Sequence, residues 1–283
     1  MATRAALGGH PSNTERTDVE YALAAGAYVS LLFSPAVVLA LTTVLVDAAA
    51  LYVSFICAIA LFAGLIGWLI IDRPGLAVEL GRRDASWMLV VLPAGWFLVA
   101  FGSSAVGVEP PGVVVVLSVL ATGVGTTLGG LLIVMSRTRY AAVGLAGADD
   151  RARWEARWPR RWRRIALGAV VVSFVVGGIG IVADIVFGVE RALELYYVSV
   201  FVLPLATPTF NYRTIRATDV GLVVEYPVAR HLRPWSAVES YTLSEAALVV
   251  RFDAPWRPAL RCDRRDIEDV SGTVAALDAA LSS

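Results

Sequence analysis

Six long apolar stretches lie between residues 20 and 210, and the arginines beside them fall almost entirely on alternate connections. A stretch of about 20 apolar residues is long enough to cross the roughly 30 Å of hydrocarbon in a membrane. Only 17% of residues are charged and the mean hydropathy is +0.68, whereas about 25% of residues are charged in ordinary soluble chains. The sequence therefore predicts a polytopic membrane protein whose residues 20–210 form an all-α bundle of six transmembrane helices.

A charge between the first two apolar stretches and prolines inside two others indicate where the chain turns or kinks. Asp47 is the only charge between the first two stretches, so the chain is expected to turn there. Pro35 and Pro93 fall inside the first and third spans, where a membrane helix tolerates a kink because neighbouring groups satisfy the freed carbonyl. The sixth span is short. The predicted spans are Tyr21–Val46, Ala48–Ile71, Ser86–Val108, Gly112–Met135, Ile165–Gly188 and Leu193–Phe210.

The distribution of arginine predicts the orientation of these spans. Sixteen arginines lie on the N-terminal tail, the second and fourth connections and the start of the C-terminal tail, while Arg191 alone lies on the opposite side. Cytoplasmic connections carry an excess of basic residues. Both chain ends are therefore predicted to be cytoplasmic at a cell membrane, with residues 1–19 as a disordered tail.

The predicted spans contain few groups able to carry chemistry. Asp184, near the outer end of the fifth span, is either an interfacial residue or an ion or proton site. Scattered Ser and Thr hydroxyls are expected to bond to helix carbonyls, and Gly125 and Gly129 have the GxxxG spacing of closely packed helices. Cys57 and Cys262 lie on different elements, so no disulfide or zinc site is indicated. No catalytic, cofactor-binding or metal-binding constellation is predicted.

The fourth connection, residues 136–164, is rich in arginine and tryptophan. Three tryptophans recur every four residues, a spacing that predicts one face of a helix lying at the membrane interface. Pro159 is expected to begin the fifth helix. The connection is then either a site for an anionic lipid or an ordinary topology determinant with an aromatic belt; a nucleic-acid partner is not expected. The candidate interface residues are Arg153, Trp154, Arg157, Trp158, Arg160, Arg161, Trp162, Arg163 and Arg164.

From residue 211 onwards the apolar runs shorten to strand length. The nine arginines of this tail are balanced by ten acidic residues, so no dominant anion pocket is predicted, and the mixed-sign run from Arg261 to Asp269 is expected to be solvated. Strands followed by an amphipathic helix indicate a small cytoplasmic α+β domain, residues 211–283. Its predicted elements are strands at 213–218, 221–226, 228–232, 247–252 and 259–262 and a helix at 266–281.

Three short runs in this tail carry a family resemblance. They are Thr218-Asp219-x-Gly221-Leu222-x-Val224, then Arg230-x-x-Arg233-Pro234-Trp235-x-x-Val238, then Leu248-Val249-Val250. Together with the closing helix, they resemble the PH-like domain of prokaryotic multi-pass membrane proteins. The resemblance implies a partly open β-barrel plugged by its C-terminal helix, with Gly221, Arg233, Pro234, Trp235 and Val238 as the domain motif. The copy is short, so one strand is either missing or supplied by the end of the sixth span.

Three classes of function remain open at this point. The first is a non-enzymatic membrane protein whose PH-like domain binds an unidentified protein partner or the membrane surface, since the resemblance implies interaction rather than catalysis. The second is a transporter or channel for a small, weakly polar solute. An intramembrane enzyme ranks last, because the spans contain neither a His nor a pair of acids to serve as base, acid or metal ligands.

Overall fold

The computed structural model describes residues 19–73, 75–105, 107, 110–189, 206, 209–227, 229–254 and 257–282. Apart from isolated positions, the predicted N-terminal tail and the predicted sixth span, Leu193–Phe210, lie outside these residues. The chain divides into two compact units. The first is Met1–Ala146 with Val228–Arg230, and the second is Gly147–Pro227 with His231–Ser283.

The first unit is helical. Its helices are α1 (Val19–Leu41), α2 (Ala48–Ile71), α3 (Leu76–Arg82), α4 (Met88–Val91), α5 (Ala94–Ala105) and α6 (Gly112–Gly144). In the described residues, four helices are long and apolar enough to cross a membrane: α1, α2, α6 and Arg160–Phe187 of the second unit. Four of the six predicted spans are confirmed as such helices, and α2 has the predicted bounds. Asp47 caps α2, because its Oδ2 accepts a hydrogen bond of 2.8 Å from the Ala50 amide.

The predicted third span, Ser86–Val108, is not one continuous helix. A 3-10 helix at Asp84–Trp87 leads into α4. The helical conformation is interrupted at Leu92-Pro93, and α5 begins after it. Proline lacks an amide hydrogen and clashes with the preceding turn, which interrupts the helical hydrogen bonds. The exposed carbonyls find donors in α6. Thr122 Oγ1 donates to the Pro93 carbonyl at 2.9 Å and Thr126 Oγ1 donates to the Val90 carbonyl at 3.3 Å.

The GxxxG spacing in α6 lies against this break. A Cβ atom on Gly129 would lie 2.1 Å from the Leu89 carbonyl oxygen, and one on Gly125 would lie 2.9 Å from Pro93 Cβ. Neither position has room for a side chain. The close helix packing predicted from the spacing is therefore confirmed, with the broken segment as the partner of α6.

The second unit combines one long helix with two small antiparallel sheets. The first sheet has the order β1-β2-β3-β4 and the second has the order β5-β6-β7. The elements are β1 (Asp150–Ala156), α7 (Arg160–Phe187), β2 (Arg213–Thr218), β3 (Gly221–Tyr226), β4 (Ala229–Pro234), β5 (Val238–Leu243), β6 (Ala247–Phe252), β7 (Leu260–Asp263) and α8 (Val270–Leu281). The five strands predicted in the tail are found with small shifts of bounds, whereas β1 and β5 were not predicted.

The strand β1 comes from the fourth connection and pairs with β2, on the other side of α7 in the sequence. Trp154 lies opposite Ile215, and Ala156 lies opposite Arg213. Successive side chains alternate between the two faces of a strand. Trp154 and Ala156 consequently enter one core with Ile215, while Arg153 and Glu155 face outwards. The same core contains Leu222, Leu248, Val250, Cys262 and Leu277.

Three expectations are corrected by this arrangement. The interfacial helix predicted around residues 153–158 is wrong, because residues 150–156 form a strand. The sheets of the tail also include β1 from the fourth connection, which the predicted domain bounds of 211–283 left out. The helix α8 begins at Val270 instead of Asp266, because Arg264–Asp266 is a 3-10 helix. Asp269 caps α8 and accepts a hydrogen bond of 2.8 Å from the Gly272 amide.

Candidate functional site

The link from β1 to α7 is the part of the second unit richest in charged and aromatic contacts. It consists of Arg157, Trp158 and Pro159, and Pro159 is the N-cap of α7 with a φ of −54°, close to the value that a proline ring imposes. The link and the first turn of α7 contact β2, β7 and the 3-10 helix that follows β7. We call this region the junction. It comprises Arg157, Trp158, Trp162, Arg163, Arg213, Arg261, Asp263 and Asp266.

A two-pronged ion pair joins Arg157 to Asp266. Arg157 Nε donates to Asp266 Oδ2 and Nη2 donates to Oδ1, each at 3.2 Å, and the Arg157 backbone amide donates to Oδ2 at 3.0 Å. Burial by itself would raise the pKa of Asp266, but the hydrogen bonds and charge of Arg157 outweigh burial and lower that pKa. The same carboxylate raises the pKa of Arg157. The guanidinium also lies over the Tyr212 ring, 4.0 Å from its centroid.

Asp263 connects β7 to the residue that follows β1 through a backbone hydrogen bond. Its amide donates to the Arg157 carbonyl at 2.8 Å, and its carboxylate Oδ2 lies 3.7 Å from Arg163 Nη2. The residue is only 4% exposed. The mixed-sign run from Arg261 to Asp269 is therefore not a wholly solvated surface, because two of its acids face arginines of the fourth connection.

Two arginines sandwich a pair of tryptophan rings at the junction. The Arg213 guanidinium carbon lies 5.2 Å from the Trp158 ring centroid, and that of Arg261 lies 5.1 Å from the Trp162 centroid. The two rings meet edge to face at 6.1 Å. Arg213 Nη2 also donates to the Arg261 carbonyl at 2.7 Å. Cation–π contacts of this kind contribute about 0.5–2 kcal/mol each, depending on burial.

The nine candidate interface residues do not form one surface. Trp154 is 4% exposed and belongs to the core, so its predicted place at headgroup depth is wrong, and Arg153 projects from the outer face of β1. Arg157, Trp158 and Arg163 are partly buried at the junction. Four residues at the start of α7 remain exposed: Arg160, Arg161, Trp162 and Arg164.

The domain-motif residues lie together elsewhere in the sheets. A Cβ atom on Gly221 would lie 2.3 Å from the Arg233 carbonyl oxygen, so the backbones of β3 and β4 meet where only glycine fits. Pro234 precedes a 3-10 helix that places Trp235 against the core, and its Nε1 donates to the Thr218 carbonyl at 2.8 Å. Arg233 lies over the Phe252 ring, and Val238 is buried in the core. These contacts hold the two sheets together.

The remaining reactive group of the unit is buried. Cys262 lies in the core, and burial raises the pKa of its thiol to about 11, although the charge of Arg213 opposes that rise. A thiol with this pKa is protonated at neutral pH and is a poor nucleophile. In the described part of the chain, no group of three or more His, Cys, Asp or Glu side chains is arranged to hold a metal ion.

The junction changes the charge balance expected from the tail alone. The tail contributes Arg213 and Arg261 with Asp263 and Asp266, and the fourth connection adds Arg157 and Arg163, with three further arginines in the first turns of α7. Sequence reasoning missed Arg213, Arg261, Asp263 and Asp266 as partners of the connection. The available signal was the alternation of small or apolar Ala152, Trp154 and Ala156 with charged neighbours, which is typical of a strand.

No protein-family model matches the chain, and no curated protein or solved structure was found to be similar to it. The function has to be inferred from the geometry of the chain itself.

We expect Asp266→Asn to destabilise the second unit by about 1–3 kcal/mol at pH 7, because it removes a charge-assisted, partly buried contact. The lowered pKa of Asp266 stabilises the fold above the ordinary carboxyl pKa of about 4, and this contribution is lost as the pH falls through the lower, folded-state pKa. Labelling of the buried Cys262 thiol during chemical unfolding measures the effect in a Cys57→Ser background.

Glu268→Gln is the matched control, because Glu268 is exposed and lies two residues further along the chain. It should leave the unfolding midpoint unchanged. The difference between the two variants should be present at pH 7 and shrink in acid. Equal midpoints for both variants at pH 7 would show that the Arg157–Asp266 pair does not stabilise the unit.

Proposed function

We propose that the chain is a non-enzymatic integral membrane protein whose small cytoplasmic domain mediates interaction with a protein partner or with the membrane surface. The main support for this proposal is the pairing of β1 with β2. A domain assembled from segments on both sides of an apolar 28-residue helix is attached to that helix by a three-residue link. Such a domain is held next to the membrane rather than on a flexible tether.

A six-span arrangement with both ends in the cytoplasm accounts for this attachment. A helix of 28 residues, the length of α7, is about 42 Å long. Ala156, four residues before α7, pairs with Arg213 after it, so the chain has to return over that distance between Phe187 and Arg213. A sixth crossing at Leu193–Phe210 provides the return. Gly177 and Gly180 are buried on a helix that is otherwise mostly exposed, and such small residues suit the packing of a neighbouring helix.

A PH-like architecture agrees with the strand order and with the position of the last helix. In the residues that the structure describes, seven strands form two sheets. The Asp263 amide bonds to the residue after β1, and Leu277 of α8 is fully buried in the common core. These features are compatible with a partly open barrel plugged by a helix. They support interaction as the function, because the core is filled by side chains and its one thiol is unreactive.

The transporter alternative has one observation in its favour. The Tyr28 hydroxyl and Ser118 Oγ are buried without a hydrogen-bond partner among the described residues. Other hydroxyls of the first unit are occupied: Thr122, Thr126 and Thr127 all donate to backbone carbonyls. Hydroxyls used in this way contribute to packing rather than to a polar path, so interaction remains the better-supported proposal.

The orientation can be tested with single cysteines in a Cys57→Ser, Cys262→Ala background. We expect a membrane-impermeant maleimide to label Thr43→Cys, between α1 and α2, on intact cells. Arg153→Cys and Glu245→Cys should react only after permeabilisation, since both are placed on the cytoplasmic domain. All three positions are exposed in the folded chain. Labelling of Arg153→Cys or Glu245→Cys on intact cells would contradict the cytoplasmic assignment.

The interaction itself can be tested by comparing co-purifying proteins. Removal of residues 211–283 and the core substitution Leu248→Asp should abolish the same set of partners, because Leu248 is 1% exposed and a buried carboxylate disrupts the sheets. Arg251→Ala, an exposed position on the same strand, should retain that set. An unchanged set of partners in the deletion variant would count against a role of the domain in binding proteins.

A further inference from the structure

Buried guanidinium groups at the junction have donors without acceptors. Arg213 is 4% exposed, and in the described residues it makes one hydrogen bond, to the Arg261 carbonyl, besides stacking on Trp158. Its Nε is buried with no hydrogen-bond partner in the described residues. Arg163 Nε is also buried without a hydrogen-bond partner in the described residues. Burying a charged donor without an acceptor is unfavourable, so a nearby anion would stabilise both groups electrostatically, although their buried Nε atoms are out of its direct reach.

These two arginines approach the same strand. Arg163 Nη2 lies 3.7 Å from the Asp263 carboxylate, and Arg213 Nη2 lies 2.7 Å from the Arg261 carbonyl. Asp263 and Arg261 are two residues apart on β7, so the two guanidinium groups flank one edge of the sheet. With Arg157 and Arg261, they make four arginines against Asp263 and Asp266. The positive charge of the junction is therefore not neutralised by its own acids.

The amino-terminal end of α7 adds to this positive charge. The first turn of α7 contains no acidic residue, and Pro159 provides no side-chain hydrogen bond to cap it. A helix N-terminus carries a partial positive charge and unsatisfied amides. Placing Arg160, Arg161 and Arg164 there is unfavourable for the helix itself, and an anion at this position would relieve that repulsion.

Since α7 carries no charged residue from Ile165 to Ala183, its amino-terminal end is expected at the depth of lipid headgroups. Trp162 is 40% exposed beside these arginines, as is typical of a ring in the membrane interface. We propose that the junction and the first turns of α7 form a binding site for the phosphate of an anionic membrane phospholipid. The inference rests on the proposed cytoplasmic placement of the domain and gives its membrane-surface contact a defined location and chemistry.

In this arrangement the exposed Arg160, Arg161 and Arg164 contact the headgroup first. Arg163 and Arg213 lie behind them, and Trp162 packs along the glycerol and upper acyl region. The Arg157–Asp266 pair keeps the link in place and does not contact the lipid. Because guanidinium binds phosphate through two parallel hydrogen bonds, several arginines converging on one end of a helix favour phosphate over an uncharged headgroup.

The full-length protein in mixed detergent and lipid micelles provides the test. The readout is the rise in unfolding temperature on addition of phosphatidylglycerol or of zwitterionic phosphatidylcholine. The unaltered chain should be stabilised by phosphatidylglycerol only. Arg160→Gln, Arg161→Gln and Arg164→Gln combined should weaken binding of phosphatidylglycerol about tenfold or more.

The control is Arg153→Gln, an exposed arginine of the same unit on the outer face of β1, which should keep full lipid stabilisation. Equal loss in this control would reduce the effect to general electrostatic attraction and overturn the proposed site. If inorganic phosphate alone at millimolar concentration stabilises the protein as much as the lipid does, the site binds free phosphate and the proposal of a lipid ligand is overturned. Equal stabilisation by phosphatidylglycerol and phosphatidylcholine would also overturn the proposal.

Two further measurements separate this inference from the proposed function and from misfolding. Labelling of the buried Cys262 thiol reports whether each arginine variant remains folded, and variants that label rapidly are replaced by the single Arg160→Gln substitution. Co-purifying proteins report on the domain independently of lipid. Loss of lipid stabilisation with unchanged partners supports the site, whereas folded variants with unchanged lipid binding overturn it and leave the proposed function standing.

Discussion

The antiparallel pairing of β1 with β2 is the contact on which the rest of the second unit depends. It brings Trp154 and Ala156 into the core with Ile215, Leu248 and Leu277. Truncation of a buried tryptophan commonly destabilises a protein by about 3–5 kcal/mol, while whole domains are stable by only about 5–15 kcal/mol. The tail therefore relies on a strand that precedes α7, and the domain is complete only when the segments on both sides of that helix have met.

This pairing also gives the arginines of the fourth connection two different roles. Arg157 and Arg163 turn towards Asp266 and Asp263 and fasten the link to the sheets, whereas Arg160, Arg161 and Arg164 stay on the exposed start of α7. An excess of arginine beside a span is commonly explained by topology alone. In this segment, arginines that set the membrane topology and arginines that contact the sheets are neighbours in the sequence. This accounts for the density of arginine and tryptophan in so short a segment.

Sequence patterns predicted the elements whose signals are local. The apolar length of α2 and the charge of Asp47 predicted that helix and the turn before it. The placing of Leu248, Val250 and Phe252 on one face predicted β6. The spacing of Gly125 and Gly129 predicted close packing. The hydroxyls of Thr122 and Thr126 also bond to carbonyls as expected, although the acceptors belong to the broken segment opposite them.

The features that were missed depend on contacts between distant residues. The four-residue spacing of Trp154, Trp158 and Trp162 matches a helix, but burial of Trp154 against Ile215 selects a strand up to Ala156 and a helix only from Arg160. Tertiary packing often overrides a local period of this kind. The partners of the junction arginines were hidden for the same reason, since Asp263 and Asp266 lie about 100 residues further along the chain.

A designed disulfide between β1 and β2 tests whether these two strands pair in the folded protein. Glu155, which is exposed, and Thr214, which is half-buried, are directly opposite in the register. Opposite residues in antiparallel strands lie about 4.5–5.5 Å apart, within reach of a disulfide. In full-length protein lacking Cys57 and Cys262, Glu155→Cys with Thr214→Cys should form a disulfide under mild oxidation. Glu155→Cys with Glu225→Cys, one strand further away, should keep two free thiols. Free thiols in the first pair, or a disulfide in the second, would contradict the pairing of β1 with β2.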